Sequence, residues 1–130
     1  MDIESFRNFC LHMKGVEETQ PFGPDTLVYK VMGKVFAITG LDEEDFSVNL
    51  KCDPEKAIEL RETHPGQIIP GFHMNKKHWN TVYLTGSLND KFICELMDDS
   101  YSLAVNALPK KEQEKLSAMK SQRKAINKQR

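Results

Sequence analysis

The sequence predicts one α+β domain, in which helices cover one face of an antiparallel sheet. Its 130 residues give room for one hydrophobic core but not for two. Strand-like segments follow one another through short turns, which favours antiparallel neighbours. Segments with helical spacing of apolar residues stand before, between and after these strands. The predicted order of elements is therefore α-β(3)-α-β(2)-α.

The first half of the chain predicts one helix, a loop and three strands. Asp2 can cap the helix, whose apolar residues recur at helical spacing, and Gly15 suits its end. Residues 16–25 contain two prolines and a glycine and predict a loop. Between the first two strands, Met32-Gly33 predicts a tight hairpin turn. The predicted strands are Thr26–Val31, Lys34–Gly40 and 46–51.

The second half predicts two helices and two further strands. Asp53-Pro54 is a strong helix start, and the helix ends before His64-Pro65, because the residue before proline disfavours the helical conformation. The longest helix is predicted to begin at a capping box formed by Ser87 and Asp90, and Pro109 ends or kinks it. The predicted strands are Ile68-Ile69 and 78–84. The predicted core stripe of the longest helix is Ile93, Met97, Ala104 and Val105, widened by Phe92, Leu96 and Tyr101.

The charges divide the chain into an acidic body and a basic tail. Residues 1–109 contain ten Lys/Arg and seventeen Asp/Glu, a net charge of −7, whereas residues 110–130 contain eight Lys/Arg and two Glu, a net charge of +6. We therefore predict one domain over residues 1–109 and a tail over residues 110–130 that is partly helical or disordered. The acidic body repels polyanions at long range, so nucleic-acid binding would require local basic patches or the tail.

Several functional classes find no support in the sequence. Cys10, Cys52 and Cys94 form no C-x-x-C pair, so we expect reduced, packed thiols. His73 and His78 have a spacing that fits neither one strand face nor a helical zinc motif, so we expect neither metal nor cofactor. No nucleotide-binding or nucleophile motif occurs, and we expect no enzymatic activity. With no apolar run near the roughly 18 residues of a membrane span and no signal-peptide pattern, a cytoplasmic location is expected.

Several segments resemble the MmcQ/YjbR family of small bacterial proteins. They are FGPDTLVYKV at 22–31, LKCDP at 50–54, PGFHMNKKHWNTV at 70–82, GSL at 86–88, SY at 100–101 and LPKK at 108–111. The resemblance extends over about residues 2–115, and the segments occur in the family's order. It implies the α-β(3)-α-β(2)-α arrangement, which is also similar to that of secretion chaperones. It further implies DNA binding through two hairpins, the "double wing", and no accepted catalytic residues.

The polar segment 73–80 and the first hairpin turn supply the candidate residues for DNA binding. Lysine ammonium groups can contact phosphates, and Trp79 offers a flat face for stacking. The alternative is that the lysines are solubilising turn residues and that Trp79 is half buried against the last helix. The candidate nucleic-acid-binding residues are Lys30, Lys34, Lys51, Asn75, Lys76, Lys77 and Trp79.

A second hypothesis belongs to another functional class. In it, the groove between sheet and helices binds a protein or a small ligand, and the chain is a monomer or a weak homodimer. The candidate groove residues are Tyr29, His73, His78 and Tyr83, together with Trp79. The acidic body favours this groove hypothesis, whereas the lysine-bearing turns and the tail favour DNA. Steep salt dependence of binding would distinguish DNA from an apolar groove ligand.

Overall fold

A computed structural model describes residues 1–119, in which four helices and one six-stranded sheet occur. The helices are α1 (Ile3–Leu11), α2 (Pro54–Thr63), α3 (Asp90–Asn106) and α4 (Lys110–Ala118). The strands are β1 (Val16–Thr19), β2 (Thr26–Val31), β3 (Lys34–Gly40), β4 (Ser47–Lys51), β5 (Ile68–Pro70) and β6 (Trp79–Tyr83). All neighbouring strands are antiparallel, in the order β1-β2-β3-β4-β6-β5. The predicted α+β class with an antiparallel sheet is confirmed.

β1 corrects the prediction that residues 16–25 form a loop. It pairs with β2 from Val16 opposite Val31 to Thr19 opposite Val28, so four strands precede α2 rather than three. Two consecutive glutamates lower its β propensity, and it has only four residues, so its own sequence gives little strand signal. Its pairing with β2 and the burial of Val16 in the core stabilise it instead.

The helices pack on one face of the sheet, as predicted. In α1, the Phe6 ring meets the Tyr29 ring edge-on at 5.4 Å between centroids. In α2, the Ala57 carbonyl accepts a hydrogen bond from Asn80 Nδ2 at 3.4 Å. The residues on this helix-covered face are Tyr29, Ala37, Leu50 and Asn80, which follow one another in register across β2, β3, β4 and β6. The alternate residues Val28, Ile38, Asn49 and Thr81 lie on the opposite face.

α3 also differs from the prediction at its first turn and in its core stripe. Its N-cap is Asn89, whose Oδ1 accepts a hydrogen bond from Phe92 N at 2.8 Å, so the predicted capping box at Ser87 is wrong. Ser100 is fully buried, and its hydroxyl donates to Phe36 O at 2.6 Å and accepts from Lys51 N at 2.8 Å. This buried serine thereby joins α3 to β3 and β4. The predicted core stripe did not include it, because that stripe was read from apolar residues only.

α4 follows a break at Pro109 and packs back against the turn after α1, where Lys14 Nζ donates to Ser117 O at 3.4 Å. Its Leu116 is 5% exposed and belongs to the hydrophobic core. A Cβ atom on Gly15 would lie 2.6 Å from Leu116 Cδ1, so the glycine, at φ +70°, lets α4 approach. The first part of the predicted tail therefore contributes to the core, and residues 120–130 of that tail lie outside the described residues.

We predict that α4 is required for full stability. Leu116→Ala should lower the free energy of unfolding by about 2 to 3 kcal/mol, because it removes a buried side chain and leaves a cavity. Chemical denaturation of the variant measures this loss. As a control, a chain ending at residue 119 should unfold like the full chain. Equal stability of Leu116→Ala and the original protein would show that α4 contributes no packing energy.

A partly buried ionic cluster joins α1 to the first two strands. Arg7 donates two hydrogen bonds of 2.9 Å to the Glu18 carboxylate, and the Tyr29 hydroxyl donates a third at 2.6 Å. The hydrogen bond from Arg7 is the main reason that the pKa of Glu18 lies below its ordinary value of 4.5. Ionised Glu18 is thus more stable in the folded protein than in the unfolded chain.

The cluster predicts a pH-dependent effect of Glu18→Gln. Because the folded-state pKa is lowered, the stabilisation by Glu18 is complete above about pH 4.5 and is lost as the pH falls through the folded-state value. The variant should be less stable than the original protein by about 1 kcal/mol at pH 7, and the difference should shrink at pH 3. Urea denaturation at both pH values measures it. A difference that is unchanged at pH 3 would contradict the role of the ionised carboxylate.

Candidate functional site

The strand directions place a cluster of acidic residues at one end of the sheet. β2 begins and β3 ends there, and the two are joined by a 2.7 Å hydrogen bond from Leu41 N to Asp25 O. We call this the acidic end. Its acidic residues are Asp25, Asp42, Glu43, Glu44 and Asp45.

The opposite end of the sheet collects lysines from five parts of the chain. Here β2 turns into β3, β4 ends, and β6 begins, because Lys51 on β4 pairs with Trp79 on β6. The end of α1 lies beside the hairpin turn, since Met32 N donates to Gly15 O at 3.4 Å. We call this the lysine end. Its lysines are Lys14, Lys30, Lys34, Lys51, Lys76 and Lys77.

The hairpin between β2 and β3 does not present its two lysines as one tip. Met32 (φ 48°) and Gly33 (φ 87°) both have positive φ, as a two-residue hairpin turn requires. Lys30 pairs with Val35, whereas Lys34 pairs with Val31, which is buried on the helix-covered side. Successive positions of a strand point to opposite faces, so the register places the two lysines on opposite faces. Glu17 stands opposite Lys30 on β1 and offsets part of its charge.

The 71–78 loop between β5 and β6 is ordered by hydrogen bonds at both of its ends. Gly71 N donates to Trp79 O at 2.9 Å, and Trp79 N donates to Asn75 O at 3.0 Å. The Asn75 side chain belongs to the turn itself, because its Oδ1 accepts from Lys77 N at 2.9 Å. Asn75 therefore acts on the loop backbone, in addition to any contact that it makes with a ligand.

Arg61 of α2 anchors this loop to the body of the protein. Its Nε donates to Asn80 Oδ1 at 2.6 Å, and one terminal nitrogen donates to the carbonyls of Lys76 and, at 3.4 Å, of Trp79. Asn80 is buried on the helix-covered face. The anchor thus links α2, β6 and the loop that carries two of the predicted lysines.

The lysines at this end differ in what their ammonium groups contact. Both lysines of this loop are exposed, but Lys76 Nζ donates to Gly71 O at 3.4 Å, so the Lys76 side chain turns back on its own loop. Lys51 Nζ lies 5.8 Å from the centre of the Trp79 ring, a cation–π contact. Trp79 is only 8% exposed, so it presents no open ring face in this structure, and we assign it to packing below Lys51 rather than to stacking.

The predicted groove residues do not meet on one surface. Tyr29 is fully buried in the core. His73 and His78 are both exposed on the 71–78 loop at the lysine end, where the His73 ring lies 4.1 Å from the Phe72 ring. Tyr83 pairs with Ser47 at the acidic end of the sheet. The structure therefore brings the histidines together with the predicted lysines and separates them from both tyrosines.

Sequence reasoning missed two residues at the lysine end, Lys14 and Arg61. Lys14 ends a predicted helix and lies beside the β2–β3 turn because Met32 N donates to Gly15 O, while its own Nζ donates to Ser117 O at 3.4 Å. Arg61 lies in the last turn of α2, 15 residues from the loop carbonyl that it contacts. No local sequence pattern predicts the Arg61 contacts, because they depend on the tertiary packing of α2 against β6.

Three further observations concern residues 1–119. They contain no group of three or more His, Cys, Asp or Glu side chains arranged to hold a metal ion. None of their helices has the length and apolar character needed to cross a lipid bilayer. Burial raises the pKa of the Cys10 thiol well above its ordinary range, which disfavours the reactive thiolate.

Comparison with known proteins gives a consistent family assignment. The profile of the YjbR family matches residues 11–103. The chain is 38% identical to the "Uncharacterized protein YjbR" of Escherichia coli (strain K12), over 89% of this chain and 98% of that protein. It is 35% identical to the "Uncharacterized protein YbdF" of Escherichia coli O157:H7, over 87% and 92% of the two chains. A crystal structure of a Deinococcus radiodurans protein with a DUF419 domain superposes with a TM-score of 0.83 at 37% identity, covering 92% and 90% of the chains.

Proposed function

This chain belongs to the YjbR family, and we propose that it binds the phosphate backbone of double-stranded DNA at the lysine end of its sheet. The observation that carries the proposal is the separation of charge between the two ends. Residues 1–109 have a net charge of −7, yet six of their eight lysines lie at the lysine end, and five of their seventeen acids lie at the acidic end. Such a dipole orients the protein toward a polyanion with the lysine end leading.

The spacing across the sheet supports a duplex as the ligand. Lys30 lies on β2 and the 71–78 loop precedes β6, and β3 and β4 stand between them. Three strand spacings of about 4.8 Å separate the two elements by about 14 Å. This separation is comparable to the roughly 12 Å width of the DNA major groove. The lysines of the two hairpins can thus reach phosphates on both sides of a groove, with Lys51 between them.

The proposed activity is binding without chemical turnover. Lysine contacts to phosphates position a protein on DNA but carry no base sequence information. We therefore expect binding to duplexes of different sequence with similar affinity. Met119 lies beside Gly15 at the lysine end, because its sulfur would be 3.6 Å from a Cβ atom on Gly15. The basic segment 120–130 follows Met119 in the sequence.

Fluorescence anisotropy with a labelled duplex of about 20 base pairs tests the proposal. The full chain should bind, and the logarithm of its association constant should fall with the logarithm of salt concentration at a slope of about −3 to −4 if four lysines contact phosphates. A chain ending at residue 119 should still bind, with a slope of the same size, because it retains the lysines of the lysine end. If only the full chain binds, the tail is the binding element and the lysine end is not.

A further inference from the structure

One peptide group in the 71–78 loop is fixed from both sides. The carbonyl of Lys76 accepts a hydrogen bond from Arg61, and the N–H of Lys77 donates to Asn75 Oδ1 at 2.9 Å. These two groups belong to the same planar peptide unit, so both hydrogen bonds constrain one rigid plane. That plane joins the Cα atoms of Lys76 and Lys77. Its orientation therefore sets the direction in which both lysine side chains leave the backbone.

Arg61 is suited to this role by its shape and by its own support. A guanidinium group is planar and has five N–H donors, so it can bridge a side-chain oxygen and two backbone carbonyls. Asn80 completes the support, because its Oδ1 accepts from Arg61 and its Nδ2 donates to Ala57 O at 3.4 Å. The buried asparagine thus fixes the guanidinium against the same helix that carries it.

We infer that Arg61 is a positioning residue for DNA binding, which acts through the 76–77 peptide and not through its own charge. This inference rests on the proposed function. When the loop is held in one conformation before binding, the entropy cost of ordering its lysines does not lower the affinity for DNA. Without Arg61, that ordering cost falls on the binding step, and the lysines themselves remain available.

Two substitutions separate positioning from direct charge. Arg61→Lys keeps the positive charge but cannot bridge three acceptors in one plane, and Arg61→Gln removes the charge as well. We expect both variants to bind the labelled duplex roughly three- to tenfold more weakly, with the salt slope of the original protein. If Arg61 contacted a phosphate directly, Arg61→Lys would bind like the original protein and Arg61→Gln would lower the slope by about one.

Amide hydrogen exchange provides a readout that separates the loop from the fold. In both variants, exchange should accelerate at Lys77 and Trp79 and stay unchanged at the core strands β3 and β4. Asn75→Ala releases the same peptide from its other side without altering charge or α2, and it should reproduce the loss of affinity. Faster exchange throughout the sheet, with Asn75→Ala binding normally, would overturn the inference and make Arg61 a residue of general stability.

The same titrations distinguish failure of this inference from failure of the proposed function. Absence of duplex binding by the original protein would contradict the proposed function itself. Binding by the original protein that is weakened by substitution of Lys51 and Lys77, but unaffected in Arg61→Lys, would overturn the role of Arg61 alone.

Discussion

The double variant Lys51→Ala/Lys77→Ala is expected to bind duplex DNA about 30-fold more weakly at physiological salt. Lys77 is exposed on the 71–78 loop, and Lys51 stands at the end of β4 between the two hairpins. Each lysine that neutralises a phosphate releases condensed counterions, so two contacts contribute about −1.8 to the salt slope. The slope of the variant should be shallower by that amount. Anisotropy titrations at several salt concentrations give both quantities.

A control variant with the same change in net charge tests whether the loss of DNA affinity depends on the position of the lysines. Lys91→Glu lowers the net charge by two units, as the double variant does, but Lys91 lies in the first turn of α3, which follows the acidic end of β6. The affinity of the Lys91→Glu variant for DNA should fall only slightly, because the added repulsion acts at long range and is screened by salt. If Lys91→Glu weakens binding as much as the double variant, net charge and not the lysine end determines affinity.

Ser100→Ala removes a single oxygen atom, yet it is expected to lower the free energy of unfolding substantially. The Ser100 hydroxyl donates to Phe36 O and accepts from Lys51 N within the core. Alanine leaves both backbone groups without this partner in a buried place, at a cost of about 1 to 3 kcal/mol for each group. We therefore expect the free energy of unfolding to fall by about 2 to 6 kcal/mol. Urea denaturation measures the change.

Ser102 provides the matched control for Ser100. It lies two positions further along α3 and is exposed, so Ser102→Ala should change stability by no more than about 0.5 kcal/mol. A small effect of Ser100→Ala would show that the two backbone groups find other partners. Because Lys51 N is one of those groups, the Ser100 variant should also bind DNA more weakly at temperatures where it remains folded.

The elements with strong local signals could be predicted from the sequence. β2 and β3 have the predicted bounds, because β-branched and aromatic residues end at a turn where Gly33 supplies the positive φ. α2 begins where Asp53-Pro54 predicts, because the cap and the fixed proline geometry act within a single turn. In both cases the determining contacts lie within a few residues of one another.

The missed features depend on contacts that are distant in sequence. β1 is a strand because β2 pairs with it, and Ser100 is buried because its hydroxyl meets backbone groups of Phe36 and Lys51. The N-cap of α3 is Asn89 and not Ser87. Both residue types cap helices well and they stand two positions apart, so the sequence pattern did not distinguish them. These features follow from the packed fold, which the local pattern does not contain.

The candidate site was predictable as a set of residues but not as an arrangement. The lysines of the two turns were identified from the sequence, yet their gathering at one end depends on the strand order β2-β3-β4-β6. The same strand order places the acids of residues 41–45 at the far end. Trp79 illustrates the limit of local reasoning, because an aromatic residue beside a lysine-rich turn is equally suited to stacking on a base and to packing under Lys51.

Nuclear magnetic resonance mapping of the DNA-bound surface tests the central claim most directly. A ¹⁵N-labelled protein is titrated with an unlabelled duplex, and the amide shifts of each residue are followed. Shifts should concentrate at the lysine end, in the Met32-Gly33 turn, at Lys51 and in the 71–78 loop, and residues 41–45 should not move. Shifts centred on the acidic end or on the outer surface of α2, or no shifts at all, would contradict DNA binding at the lysine end.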